Sequence, residues 1–404
     1  MMCGPLSKAS ATLVALTLAG GFASGARAGG EPDEDVRARG DDGRLRITHQ
    51  ATISSEVALD TNARRQQVGG AAEADALAYL YATGAVEGRR PGRLVSASLD
   101  LGAKRFLRTS AEDMMVGRLA LRWAAAPRQG VAVGAEASYL DRFQRGDPWR
   151  EVEGDEHLAC RPPAGPAGAG YRCNRRDYRR GALAGSLDLR FGDWSLAGRT
   201  GASFLDYKPN RQFSYGGPHG SLALSRPVAK SHNVSARAAA SLRFYHPNSV
   251  TYRLVPSADT VMVQEVSEPR VEHVLSGALG WRYRGPLLLS STVTVASSRN
   301  NGDGMDVLRA RAEAAGAVRL GSSTTIVASG AFQLAHYPQG NVFRRISLRA
   351  DEDERQNSIA LQVTQRLTGS LALVLKAGSY SNEFSGDTLP FQRHVIHGGL
   401  RWSL

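Results

Sequence analysis

From residue 44 to the C-terminus the sequence alternates apolar and polar residues with a period of two. In the first such stretch Leu45, Ile47, Ala51, Ile53 and Val57 interleave with Arg46, Thr48, Gln50, Thr52, Ser54 and Glu56. Extended backbone sends successive side chains to opposite faces, so this pattern makes a strand with one apolar and one polar face. The pattern recurs over 44–58, 75–87, 94–106, 113–126, 131–145, 177–190, 194–206, 216–226, 232–244, 270–284, 287–298, 306–319, 324–336, 354–367, 370–381 and 391–403, sixteen segments in all. Segment 76–86 is apolar on both faces, which leaves its register open. Segment 308–319 is made of good helix formers. It is read as a strand because Leu308, Ala310, Ala312 and Ala314 fall on one face and Arg309, Arg311 and Glu313 on the other. The fold class is all-β.

The connections alternate too. Seven are tight turns, at 88–92, 127–130, 191–193, 227–231, 285–286, 320–323 and 368–369, and the other eight are longer and mostly polar, with 146–176, 245–269 and 337–353 the longest. An even number of strands with long and short connections in turn is the layout of a transmembrane antiparallel up-and-down β-barrel whose termini lie on the short-turn, periplasmic side. Strands of about thirteen residues, at about 3.3 Å per residue and a tilt near 45°, cross about 30 Å, the thickness of the hydrocarbon core. Trp123, Trp194, Trp281 and Trp402, with Phe191 and Tyr283, all fall near the turn ends, as an aromatic girdle at the headgroups requires. Tyr139, Phe204, Phe244 and Phe332 make a weaker girdle toward the long loops, where Trp149 also sits. A helical bundle is excluded: mean hydropathy is −0.28, and past the N-terminus no apolar run approaches the ~18 residues of a spanning helix. Residues 44–404 thus form one barrel domain.

The N-terminus is that of an exported chain. Lys8 precedes an apolar stretch, 9–25, and then Ala26-Arg27-Ala28, a small-x-small cleavage pattern, so 1–28 is expected to be a signal peptide. Residues 29–43 form a short polar segment, expected to be disordered in the periplasm. The net charge of +12 would otherwise raise nucleic acid as a partner, but an exported chain does not meet it. Cys3 lies ahead of the apolar stretch. That leaves Cys160 and Cys173, flanking a Pro/Gly-rich loop in an oxidising compartment, and a loop-closing disulfide is expected between them.

Sorting each strand by parity puts Arg46, Lys104, Arg118, Arg122, Arg190, Arg199, Arg237, Arg282, Arg309, Arg311, Arg366 and Arg393 on the lumen face, with Arg243, Arg319, Lys376 and Arg401. The acids on that face, Glu56, Asp100, Glu136, Asp188, Glu272 and Glu313, are fewer. Such a lumen would carry a positive potential and concentrate anions. Alternatively the arginines pair with those acids across strands and pack a narrow interior; the pairing depends on shear, so both readings stay open.

Motifs for other chemistry are sparse. There is no Gly-x-Ser-x-Gly elbow, dinucleotide fingerprint, P-loop or clustered Cys/His site, so neither an enzyme nor a cofactor is expected. Parity turns His49, His273 and His394 to lipid and His397 to the lumen, and His232 lies near a turn. His336, close in sequence to Asp351 and Asp353, is the best placed histidine for rim catalysis, yet has no nucleophile beside it. The runs 351–354 and 300–306 offer oxygen ligands without the spacing of a calcium loop.

The last strand places Ile396, Gly398, Leu400, Trp402 and Leu404 on one face. In this it resembles the closing strand of Gram-negative outer-membrane β-barrels of the porin or secretion-conduit kind, though it ends in Leu rather than Phe. The resemblance covers 44–404. It implies a place in the outer membrane, contact with outer-membrane lipid and lipopolysaccharide, and insertion by the barrel-insertion machinery. The segment Leu59-Asp60-Thr61-Asn62-Ala63-Arg64-Arg65, together with Arg176-Asp177-Tyr178-Arg179-Arg180, is similar to barrels associated with surface-polysaccharide export, which implies periplasmic export partners. The functions to weigh are therefore a pore for polar, anionic cargo, a polysaccharide-export component, and a rim enzyme or adhesin acting through the long loops.

Overall fold

A computed structural model describes residues 45–63, 73–144, 177–208, 211, 214–247, 249, 251–256, 261–266, 268–303, 306–338, 357–381 and 392–404. The signal peptide, the segment 29–43, Trp149, Cys160, Cys173, Arg176 and the acidic run 351–354 lie outside the described residues. The strands are β1 (Arg46–Asp60), β2 (Asp75–Arg90), β3 (Arg93–Phe106), β4 (Met114–Arg128), β5 (Val131–Gln144), β6 (Tyr178–Phe191), β7 (Trp194–Tyr207), β8 (Tyr215–Ala229), β9 (His232–Tyr245), β10 (Thr251–Pro256), β11 (Val261–Val266), β12 (Val271–Arg284), β13 (Leu287–Asn300), β14 (Val307–Leu320), β15 (Thr324–His336), β16 (Asn357–Arg366), β17 (Leu371–Ser381) and β18 (Gln392–Ser403).

Sixteen of them close into one antiparallel barrel in which each strand pairs with its chain neighbours, β9 pairs with β12, and β18 returns to β1. Segment 308–319, ambiguous on propensity, is strand β14. Closure removes every sheet edge, the condition for a sheet to span a bilayer. One difference from the sequence reading is the connection 245–269, which is not simply a loop. It carries the separate two-stranded ribbon β10–β11, in register from Thr251↔Val266 to Pro256↔Val261. Each arm has only six residues, too few to cross a membrane at about 9–11 residues per strand, so the barrel count stays at sixteen.

The tight turns lie at one end of the barrel and the long connections at the other. Gly92, Gly130, Gly192 and Gly321 occupy the left-handed region with φ of 69°, 76°, 58° and 62°. At Gly130 a β-carbon would also come 2.8 Å from the Arg190 carbonyl oxygen. Gly130→Val is therefore expected to lower the unfolding free energy by about 1–2 kcal/mol, measured as a shift of the denaturant midpoint in detergent. At the loop end, two carboxylates hold the β3–β4 connection: Asp75 accepts from the backbone N–H groups of Thr109 (2.7 Å) and Arg108 (2.9 Å) and from the Thr109 hydroxyl (2.7 Å), and Asp113 accepts from the Phe106 N–H (2.7 Å).

Candidate functional site: the barrel wall and its lumen

The two faces of the wall differ in chemistry. On β1, Ile53, Val57 and Leu59 are exposed, while the alternating Ser54, Glu56, Ala58 and Asp60 are buried. The registers carry this division around the ring, so that Leu80, Leu101, Leu121, Leu183, Leu222, Leu279, Val293, Leu375 and Ile396 all stand exposed on the outward side. Leu279 is 69% exposed and Ile396 64%; in water such a continuous apolar belt would be an aggregation surface. Trp123, Trp194, Phe191 and Trp402 ring its turn end, and Tyr139, Phe204, Phe244 and Phe332 stand exposed on its loop side. Apolar belt, aromatic girdles and absent edges together are the outside of a membrane protein. The molecule is an outer-membrane β-barrel.

On the inward side of the barrel, basic residues dominate. Registers place Lys104, Arg118, Arg122, Arg190, Arg199, Arg237, Arg282, Arg309, Arg311, Arg366 and Arg393 on the face that carries the buried Glu56 and Asp60. Arg46 has the same parity but a different setting. It pairs with Arg89 on a stretch of β1 that runs past the last β18 partner, Thr52↔Ser403, so it stands at the turn-end mouth. Arg142 and Arg180 also point inward, opposite Val116 and Leu140. They lie near the loop ends of β5 and β6, and the inward residues sorted by parity in the sequence do not include them.

Several inward cations are locked to acids. At the β1–β18 closure, Lys376 donates to both Glu56 oxygens at 2.6 and 2.7 Å, His397 Nδ1 lies 3.6 Å from Glu56, and Arg393 contacts Asp60 at 2.5 Å. Across the ring, Glu272 is 0% exposed and accepts from Tyr245 (2.5 Å), Arg243 (3.3 Å) and Ser298, with Arg270 at 3.6 Å. Glu136 meets Arg199 at 3.2 Å and Glu313 meets Arg311 at 2.7 Å. Lys104 is buried with its ammonium 4.7 Å over the Phe106 ring, a cation–π contact.

Tyrosines, absent from the sequence reading of the lumen, complete the loop-end interior. Tyr178 and Tyr207 pair across β6 and β7 with ring centroids 5.7 Å apart, and Tyr215 and Tyr245 across β8 and β9 at 5.3 Å. Tyr79 stacks on His397 at 5.0 Å. Tyr79 joins Leu77 and Phe106 in one buried apolar cluster, and Tyr178 and Tyr207 join Leu140 and Leu205 in a second, with Tyr215 packed against it. The inward wall is thus packed toward the loops and more polar toward the middle.

The remaining sequence candidates lie off the lumen wall. His232 faces outward and accepts the Trp281 indole N–H at 3.2 Å. His336 ends β15 on the outward face. In the 300–306 loop, the Asn300 N–H donates to Asp306 at 2.8 Å and Asn300 Oδ1 accepts from Arg270 at 2.7 Å.

No family model matches the sequence, and neither does any curated protein. Among solved structures the chain is similar to the anion-selective porin from Comamonas acidovorans at 12% identity and a TM-score of 0.43, over 89% of this chain and 100% of that one. It is similar to a bacterial polysaccharide outer membrane secretin at 9% identity and a TM-score of 0.42, over 88% and 98%. A third similar structure is the outer-membrane expressed OmpT of Vibrio cholerae, at 9% identity and a TM-score of 0.41, over 90% and 99%.

Proposed function

We propose that the barrel is an outer-membrane conduit that passes polar, anionic cargo through a basic lumen. The observation that supports this is a closed wall of sixteen strands whose inward face carries more basic than acidic residues. Barrels of this strand number are wide enough for an aqueous channel. Glu56, Asp60, Glu136, Glu272 and Glu313 each neutralise a nearby cation, but acids are the minority, so the wall keeps a net positive charge. Low-dielectric walls focus that field along the axis, which raises the local concentration of anions and opposes cations. The conduit is read as non-catalytic, selecting by charge and size.

Uptake into proteoliposomes tests it with two hexose derivatives of similar size and opposite charge. Glucuronate is expected to enter faster than glucosamine. Arg309→Glu with Arg311→Glu, which reverses two neighbouring inward charges on β14, is expected to cut that preference by about tenfold. Equal rates for the two solutes in the wild type would overturn the reading. Loss of surface polymer on deletion, with small-solute uptake unchanged, would instead assign the barrel to polysaccharide export.

A further inference from the structure

The outward wall carries a polar cluster at its turn end, across β7, β8, β9 and β12. Its residues can be followed from strand to strand at one height. Phe191 of β6 faces Trp194 of β7. Arg226 of β8 stands across from Trp194, one step beyond the Ser195↔Ser225 pair. On its other side Arg226 faces Val234 of β9, which in turn faces Trp281 of β12. An arginine is thus set among the girdle tryptophans on the lipid side of the barrel. Its guanidinium lies 5.2 Å over the Trp194 ring, and among the described residues that ring is its one side-chain partner.

His232 sits beside it. Two residues along β9 from Val234, it is the diagonal neighbour of Arg226, a separation of about 7–8 Å in an antiparallel pair. Its Nδ1 accepts the Trp281 indole N–H at 3.2 Å, and its ring stands 5.0 Å from that of Tyr283. A neutral imidazole that accepts at Nδ1 carries its proton on Nε2. The girdle therefore holds the Nε2–H as a donor, with no acceptor among the described residues. Lys230, in the β8–β9 turn, adds an exposed ammonium. Asp193, next to Trp194, is the one acid in the β6–β7 and β8–β9 turns. No ion pair joins it to Arg226 or Lys230 among the described residues.

We propose that Arg226, His232 and Lys230 form a binding site on the outer wall for the headgroup phosphate of an anionic phospholipid, of the phosphatidylglycerol type. Tryptophan rings collect at headgroup level, and a guanidinium laid flat on an indole is oriented without being neutralised. The tight turns are the periplasmic end of such a barrel, which sets the site in the phospholipid leaflet rather than the lipopolysaccharide one. A phosphodiester has two charged oxygens, enough for the guanidinium and the Nε2–H at once. Two cations against one acid attract a net negative headgroup, whereas the ammonium of an ethanolamine headgroup is repelled by Arg226 and Lys230. The acyl chains then run along the apolar belt past Leu222, four residues deeper on the same outward face of β8 and 60% exposed. The site is separate from the lumen and stands whether or not the barrel conducts.

Native mass spectrometry of the full-length folded barrel reads the site, in detergent with equimolar phosphatidylglycerol and phosphatidylethanolamine of the same acyl chains. The wild type is expected to retain phosphatidylglycerol in preference by about tenfold, and Arg226→Ala with Lys230→Ala to bring the ratio near one. His232→Phe, which keeps a ring against Tyr283 and removes the donor, should cut the preference by about threefold. Arg319→Ala with Arg366→Ala removes the same charge from lumen-facing positions at the same end and should leave the ratio unchanged. Heat-modifiable electrophoretic mobility reports folding. If the first double variant does not fold, Arg226→Ala alone is expected to move the ratio in the same direction. Equal retention of the two lipids by the wild type overturns the site. So does a preference that both double variants lower alike, which would be a response to net charge, or one that survives the loss of Arg226 or of His232.

Discussion

Glu272→Leu is expected to lower the unfolding free energy of the barrel by about 3–5 kcal/mol, the cost of removing one partner from a buried ionic network. Glu272 is wholly buried and serves Arg243, Arg270, Tyr245 and Ser298 at once. Leucine fits the volume but leaves two guanidinium groups facing each other with no carboxylate between them. Arg270 is the more confined, with a side chain 10% exposed and its guanidinium 4.3 Å over the Tyr245 ring. The network also ties together β9, β12 and β13, so its loss should loosen the wall where the chain leaves the barrel to form β10–β11. The denaturant midpoint in detergent measures the effect. A midpoint within experimental error of the wild type would mean that the arginines find water or other acids, and that the interior there is wetter than the packing indicates.

The second large effect concerns the outer surface. Leu279 lies mid-strand on β12, on the outward face and 69% exposed. Exposure to water would make Leu279→Arg harmless, and a surface substitution of that kind usually stays within about 0.5 kcal/mol. In a bilayer the same change places a cation near the midplane, at a cost of about 2–4 kcal/mol. Ser276→Arg is the matched control. Ser276 points inward, between Ala239 of β9 and Ala296 of β13, where an added arginine reaches the aqueous lumen. Refolding into lipid vesicles should therefore suffer with the outward arginine and tolerate the inward one. The reverse order would exchange the two faces of the wall and with them the whole assignment of belt and lumen.

Much of the fold could be read from the period of the sequence, because parity is a property of each strand by itself. The alternation of Leu308, Ala310 and Ala312 with Arg309 and Arg311 outweighed their helix propensity, as neighbouring strands supply backbone partners that an isolated segment lacks. Pairing between strands was not legible. Lys376 meets Glu56 across 320 positions, and nothing in either segment announces the other, since the register that joins them depends on shear and closure. The inward tyrosines were missed for a different reason. Tyr178, Tyr207, Tyr215 and Tyr245 lie at strand ends, where aromatic residues suggest a headgroup girdle. The structure turns them inward, and Tyr245 hydrogen-bonds Glu272. The ribbon β10–β11 was read as loop because its arms are shorter than the strands around it.

The reversal potential of the refolded wild-type barrel in a planar bilayer across a potassium chloride gradient tests the conduit most directly. A basic lumen predicts open channels with a reversal potential of the sign set by chloride, collapsing toward zero when Arg309 and Arg311 are replaced by glutamate. A reversal potential set by potassium, or a folded barrel that inserts and carries no current, would contradict it.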